Sequence, residues 1–159
     1  MVGFEKANFK DAQELVSIQV RTFDDDARKF NKTEKGGPPG YDSVDWQIEM
    51  MKNALYYKIL NEGKIIGGII VFLIDKGHYE LGRIYIDPAF QNRGIGFKAM
   101  SFLESNFKDA TKWTLGTPEW AIRNHYFYEK AGFKKVGEEG PLPEGLMEIR
   151  YEKVINNIN

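Results

Sequence analysis

The chain of 159 residues contains no cysteine. This absence excludes disulfides, thiolate metal sites and a cysteine nucleophile, and with them an extracellular scaffold held by disulfides. No apolar run approaches the length of a membrane span, and the first six residues lack the basic segment and apolar core of a secretory signal. We therefore expect a cytoplasmic protein that does not bind a membrane.

The chain also has no excess charge of one sign. Lys and Arg number 22 and Asp and Glu number 23, which gives a net charge of -1. Because nucleic-acid binding favours a clear basic excess, we expect no nucleic-acid partner. The two histidines, His78 and His125, do not have the spacing of zinc ligands, so we expect no metal site. The length predicts one domain over residues 1–159.

Helical and strand-like patterns alternate along the chain. The patterns predict a first helix over residues 10–23, ended by the acidic triplet 24–26, and a second helix capped by Asp42 or Ser43. The loop 32–40 between them, rich in glycine and proline, is either a plain connector or a lid on the substrate side. The remaining predicted elements are strands at 54–60, 64–74, 79–86, 112–115, 133–136 and 146–154 and helices at 94–107 and 121–131.

The most informative segment is residues 91–96, QNRGIG, which joins a predicted strand to a predicted helix. The first backbone N–H groups of a helix have no intrahelical partner and carry partial positive charge, so a phosphate binds there readily. Gly94 and Gly96 let a ligand approach the main chain, and Arg93 adds a positive charge. The alternative is a tight turn whose glycines serve packing. The segment matches neither the dinucleotide fingerprint nor the P-loop.

This segment resembles the Q/R-x-x-G-x-G/A motif of the GNAT superfamily, the acetyl-CoA-dependent N-acetyltransferases. Residues 84–90 are similar to the central strand of that family, and residues 127–133, FYEKAGF, are similar to its later Y-E-K-x-G-F segment. The resemblance implies an α/β (α+β) fold with a mixed, mostly antiparallel sheet of about six to seven strands and about four helices. It also implies that two central strands splay apart around the pantetheine arm of the cofactor.

The resemblance further implies that acetyl-CoA is the acyl donor. The main chain of the central strand would pair with the pantetheine amides, and the glycine loop would hold the pyrophosphate. Many family members have an asparagine seven residues before the tyrosine of the later segment, where this chain has Ala121, so Asn124 is the substitute contact. Arg83 and Lys98 rank below Arg93 as phosphate contacts. The expected cofactor-binding residues are Ile84, Tyr85, Ile86, Gln91, Asn92, Arg93, Gly94, Ile95, Gly96 and Asn124.

Two residues match catalytic positions of the family. Glu80 corresponds to a general base, and Tyr128 corresponds to the general acid that protonates the departing thiolate. Strand alternation would put Glu80 on the same face as Ile84 and Ile86, unless a bulge resets the phase. The alternatives are a solvent-exposed or salt-bridged carboxylate for Glu80 and a core tyrosine for Tyr128. Tyr126 should point to another face of its helix.

The leading hypothesis is an N-acetyltransferase that passes the acetyl group directly to a primary amine. The acceptor is a small-molecule amine, a peptide N-terminus or a lysine, which acidic residues such as those at 24–26 and 138–139 could attract. The alternative is a non-catalytic acyl-CoA-binding sensor or docking module, and a flavin- or nucleotide-binding protein is a more remote third. The closing strands could also present an edge that pairs in a homodimer.

Overall fold

Seven strands form one mixed sheet in the computed structural model, which describes residues 1–143 and 145–155. The strands are β1 (Val2–Lys6), β2 (Leu55–Asn61), β3 (Lys64–Asp75), β4 (His78–Ile86), β5 (Lys112–Pro118), β6 (Lys134–Glu139) and β7 (Glu148–Val154). Their order in the sheet is β1-β2-β3-β4-β5-β7-β6. Only β4 and β5 are parallel among the described pairs. The expected fold class is confirmed.

Four α-helices connect and cover these strands: α1 (Ala12–Asp26), α2 (Val44–Asn53), α3 (Ile95–Asn106) and α4 (Ile122–Lys130). Of the two predicted caps of α2, Ser43 is the one used, because its side chain accepts a hydrogen bond from the Trp46 N–H at 3.1 Å. Among the described residues, no helix is both long enough and apolar enough to cross a membrane.

The first helix is longer than predicted. It does not end at Phe23 but includes the acidic triplet and continues as a π-helical segment, Ala27–Asn31. The triplet can lie inside the helix because each carboxylate has a partner. Asp24 accepts from Tyr41, Asp25 pairs with Lys29, and Asp26 pairs with Arg123. These acids are therefore already engaged and do not form an open acidic entrance.

The sheet separates two apolar clusters. Leu15 and Ile18 of α1 pack with Tyr56, Ile70 and Tyr85 on one face. On the other face α3 and α4 pack over a larger cluster that includes Ile69, Val71, Leu81, Leu103, Trp113, Leu115 and Tyr128. We call these the α1 face and the α3 face. Burial of this apolar area is the main force that fixes the helices on the sheet.

A β-bulge in β4 changes which face each side chain takes. Ile70 pairs with Arg83, but the next residue of β3, Val71, pairs with Leu81, so Gly82 is an extra residue in β4. Beyond the bulge Ile84 packs on the α3 face. Before the bulge Glu80 lies opposite Phe72, which packs on the α1 face. The expectation that Glu80 shares a face with Ile84 and Ile86 is therefore wrong, because the bulge resets the alternation.

The parallel strands β4 and β5 pair only over a short stretch. In the described residues their register covers His78–Glu80 on β4 and Lys112–Thr114 on β5. After these residues the two strands diverge, although β4 stays paired with β3 as far as Ile86. The divergence leaves one edge of β4 open to a ligand that can pair with its main chain.

The loop 32–40 is fastened to the α1 face. The Gly36 N–H donates to the Asp24 carboxylate at 3.1 Å, and Arg83 donates to the Pro39 carbonyl at 2.8 Å. Arg83 is buried and lies 4.2 Å from the ring of Trp46, and its burial lowers its pKa to about 10. Arg83 therefore anchors this loop and does not reach the glycine loop, where it was ranked as a minor phosphate contact.

Candidate active site

The divergence of β4 and β5 opens a slot with a volume of about 250 Å³. One wall is the end of β4, the opposite wall is α4, and the glycine loop 91–96 closes one end. The residues that line it are Thr22, Phe23, Asp26, Ile84, Tyr85, Ile86, Phe90, Gln91, Asn92, Gly94, Ile95, Gly96, Phe97, Arg123, Asn124, Tyr126, Phe127, Tyr128 and Lys130. The slot thus gathers most of the cofactor-binding residues expected from the sequence.

The start of α3 lies at the loop end of this slot and, among the described residues, has no side-chain cap. Gly94 precedes the first turn of α3 with a φ of 76°, a left-handed angle that favours glycine. A Cβ atom built on Gly94 would meet no atom within 4 Å, so the space beside it is open. No side chain caps this helix end, and in the described part of the chain the N–H groups of Arg93 to Gly96 donate no side-chain or loop hydrogen bond. This arrangement suits an anion.

Gly96 has a different role from Gly94. A Cβ atom at Gly96 would lie 2.8 Å from the ring of Phe127, closer than packed carbon atoms come. Gly96 therefore lets α3 and α4 pack closely, which was the packing alternative considered for the glycine pair. Gly94 thus shapes the cradle, and Gly96 sets how closely α3 and α4 approach each other.

The β4 wall offers the ligand its main chain and two apolar side chains. Ile84 and Ile86 line the slot directly. The Tyr85 side chain turns to the α1 face, where its hydroxyl lies 2.7 Å from the hydroxyl of Tyr56. The Ile86 carbonyl accepts hydrogen bonds from Gln91 at 2.9 Å and Thr22 at 3.3 Å, which fixes the end of the strand.

Tyr128 lies on the α4 wall and is 8% exposed. Burial raises the pKa of its hydroxyl above the ordinary value. The phenol therefore keeps its proton at neutral pH and is available as a hydrogen-bond and proton donor to a group that gains negative charge beside it. Tyr126, two positions earlier, is 68% exposed, whereas Tyr128 is buried, but Tyr126 also lines the slot.

Asn124 also lines the slot, where its side chain donates to the Thr117 hydroxyl at 3.3 Å. The neighbouring His125 faces away and is held by the Tyr151 hydroxyl at 2.8 Å and the Pro118 carbonyl at 3.0 Å. His125 thus supports the start of α4. No group of three or more His, Cys, Asp or Glu side chains within residues 1–143 and 145–155 is arranged to hold a metal ion.

The arginine that reaches the slot is not the one expected from the motif. Arg93 is exposed, lies 5.2 Å from the ring of Phe90 and is not among the lining residues. Arg123 of α4 is a lining residue, and it donates to Asp26 at 2.9 Å and to the side-chain oxygen of Gln91. The sequence gives no sign of this role for Arg123, because the residue lies in α4, far along the chain from the glycine loop, and belongs to no motif.

Glu80 belongs to a polar cluster on the α1 side of the sheet rather than to the slot lining. Its carboxylate accepts from Arg150 at 2.5 Å and from the Thr114 hydroxyl at 3.0 Å. Arg150 of β7 also contacts Glu148 at 3.4 Å. The salt-bridged alternative for Glu80 is thus observed, and its side chain is still 27% exposed. Arg150 is a second residue that the sequence did not indicate.

The side chains of Glu80, Arg150 and Glu148 form a cluster that occupies the space beside Gly116, where any other residue would place a Cβ atom. A Cβ atom there would lie 2.4 Å from Glu148 Oε1 and 2.8 Å from an Arg150 guanidinium nitrogen. Gly116→Ala should therefore displace the ends of both side chains and lower the free energy of unfolding by about 1 kcal/mol, the low end of the usual range for overpacking, because these flexible ends can move. Denaturant unfolding measures this change.

Gly137→Ala on β6 is the matched control for that substitution. A Cβ atom at Gly137 would meet no atom within 4 Å, so the same chemical change adds no contact. We expect its effect to stay within about 0.5 kcal/mol, as for ordinary surface substitutions. Equal effects of the two alanines would show that the cluster does not need the space at Gly116.

Comparison with known proteins agrees with this geometry. Residues 15–133 match the model of the Acetyltransferase (GNAT) family. The uncharacterized protein YrkN of Bacillus subtilis (strain 168) is 32% identical over 126 residues, which are 78% of this chain and 64% of that protein. The match therefore spans less than two thirds of the length of that relative.

Solved structures show the same fold. The PaiA N-acetyltransferase of Thermoplasma acidophilum, solved in complex with coenzyme A, has a TM-score of 0.81 and 17% identity, covering 98% of this chain and 99% of its own. The ribosomal-protein-S18-alanine N-acetyltransferase of Escherichia coli has a TM-score of 0.76 and 16% identity, covering 100% of this chain and 97% of its own. At these identities the likeness establishes the fold.

Proposed function

Because this chain belongs to the GNAT acetyltransferase family, we propose that it transfers the acetyl group of acetyl-CoA directly to a primary amine. The observation that carries the proposal is the slot, which combines an open strand edge, an anion cradle and a buried phenol. The pantetheine arm pairs with the main chain of residues 84–86, and the pyrophosphate binds the N–H groups that follow Arg93. Asn124 contacts the pantetheine from the α4 wall.

The reaction needs one proton acceptor and one proton donor. The amine nitrogen, freed of its extra proton, attacks the thioester carbonyl to form a C–N bond and a tetrahedral oxyanion. The C–S bond then breaks, and the departing thiolate takes the proton of the Tyr128 hydroxyl. Glu80 accepts the amine proton directly or through water. Solvent accepts the proton from Glu80 and the second proton that the nitrogen loses as the amide forms, and it returns one proton to Tyr128. The products are therefore the acetylated amine, coenzyme A and one proton.

The two catalytic residues lie on opposite faces of the sheet, and the gap between β4 and β5 connects these faces. A thioester in this gap has its sulfur toward Tyr128 on the α3 side. Its carbonyl is then open to an amine that arrives from the α1 side, where Glu80 lies.

The test is acetyl transfer to a panel of amines, with release of coenzyme A followed by a thiol reagent. The panel includes small-molecule amines, peptides with free N-termini and peptides with lysine. Coenzyme A release that depends on one class of amine supports the proposal. Saturable acetyl-CoA binding without transfer to any member would favour the non-catalytic acyl-CoA-binding alternative.

A further inference from the structure

We infer that Arg123 is a phosphate-binding residue for the cofactor, and that Asp26 holds it across the slot until the cofactor arrives. The inference rests on the proposed function in one respect, which is that the slot takes coenzyme A. It adds a contact that the glycine motif does not contain. Its basis is a chain of side-chain contacts that joins α1, α4 and the glycine loop.

Arg123 connects the α4 wall of the slot to the end of α1 and to the glycine loop. One guanidinium nitrogen donates to the two carboxylate oxygens of Asp26 at 2.9 and 3.2 Å, and the other donates to the Gln91 side chain. Gln91 in turn donates to the Ile86 carbonyl at the end of β4. The guanidinium is therefore held at the entrance of the cradle, between the end of α1 and residue 91 of the loop.

The burial of the two partners differs. The Asp26 side chain is 10% exposed, whereas the Arg123 side chain is 36% exposed. The carboxylate is thus fixed in the wall, and the guanidinium keeps a face toward the slot. An arginine can bind a carboxylate and a phosphate oxygen through separate N–H groups, since its guanidinium carries five of them.

The electrostatics of the wall also require a cation at this point. Burial raises the pKa of Asp26, and Arg123 opposes this shift. Asp25 is a further nearby carboxylate, and Lys29 pairs with it. Without Arg123, an entering pyrophosphate would meet the negative charge of Asp26 at short range. Arg123 thus neutralises the wall and attracts the phosphate.

The experiment is calorimetric titration with two probes, coenzyme A and pantetheine, which lacks the phosphates. Arg123→Gln should bind coenzyme A about tenfold more weakly, the usual effect of losing one hydrogen bond to a charged group. Its affinity for pantetheine should stay within about twofold. Asp26→Asn removes the negative charge and releases Arg123, so it should bind coenzyme A at least as tightly as the wild type.

The matched control is Arg21→Gln. Arg21 donates to Asp87 at 2.7 Å and so forms another arginine–aspartate pair between α1 and the segment after β4, but neither residue lines the slot. Its binding of both probes should equal that of the wild type. Arg123→Lys keeps the charge with little change of volume and should retain most of the affinity, which guards against a folding defect in Arg123→Gln.

Three results would overturn the inference. Arg123→Gln could bind coenzyme A as the wild type does, or it could lose affinity for pantetheine to the same extent. Asp26→Asn could weaken coenzyme A binding as much as Arg123→Gln, which would make the pair a structural link between α1 and α4. Failure of the proposed function is distinct, because the wild-type protein would then not bind coenzyme A at all.

Discussion

Tyr128→Phe should lower kcat about 100-fold and leave the Kd for acetyl-CoA nearly unchanged. The substitution removes one hydroxyl, and general acid catalysis typically contributes 10²- to 10⁴-fold. The ring remains, so its packing with Phe133 and Phe127 on the α3 face is kept. Steady-state kinetics and calorimetry on the same preparation measure the two effects separately.

Tyr57→Phe is the control for this prediction. Tyr57 is 8% exposed, as Tyr128 is, and belongs to the same apolar cluster, but its hydroxyl bonds Asn106 away from the slot. Its kcat should stay within about twofold of the wild type, as expected for a hydroxyl outside the reaction. Equal kcat values for Tyr128→Phe and the wild type would remove Tyr128 from the mechanism.

The pH dependence of turnover gives a second readout for the same residue. Because burial raises the pKa of Tyr128, its hydroxyl stays protonated through the pH range in which an ordinary phenol, with a reference pKa of 10.0, would titrate. The kcat of the wild type should therefore rise with pH as the amine loses its proton, and it should not fall again before about pH 10.

Glu80→Gln should lower kcat at neutral pH about 100-fold, because glutamine cannot accept the amine proton. The difference in kcat between the variant and the wild type should shrink as the pH rises, because more of the amine is then already deprotonated and needs no general base. Arg150 keeps Glu148 as a partner in this variant, so we expect the protein to fold as the wild type does. The measurement is the pH profile of kcat for the variant and the wild type.

Glu148→Gln is the matched control, because it removes the same charge beside the same arginine. The two carboxylates are similarly exposed, 27% for Glu80 and 28% for Glu148. If Glu80 is the general base, Glu80→Gln should lower kcat much more than Glu148→Gln does. Superimposable pH profiles of Glu80→Gln and the wild type would mean that water or the substrate itself handles the proton.

Local sequence patterns predicted the part of the fold that depends on local chemistry. The β2–β3 hairpin, the strand β4 and the start of α3 follow from β-branched runs, a turn at residues 61–63 and the glycines of residues 91–96. The left-handed angle at Gly94 and the cap at Ser43 also follow from residue type. These features need little information from distant parts of the chain.

Features that depend on tertiary contacts were missed. The strand β1 was not predicted, because its pairing with β2 joins residues 2–6 to residues 57–61. The bulge at Gly82 is visible only in the register against β3, and it moved Glu80 to the other face. No motif contains Arg123 or Arg150. Arg123 gains its role where α4 meets α1, and Arg150 gains its role by reaching from β7 across β5 to Glu80 of β4.

The central claim is that the glycine loop receives the phosphates of acetyl-CoA, and calorimetric titration of three proteins tests it most directly. Gly94→Gln and Gly94→Glu place similar side chains at the same left-handed φ, so both bear the same backbone strain and differ by one negative charge. We predict saturable binding by the wild type, weaker binding by Gly94→Gln and loss of binding in Gly94→Glu. Equal affinities of Gly94→Gln and Gly94→Glu, or no binding by the wild type, would contradict the claim.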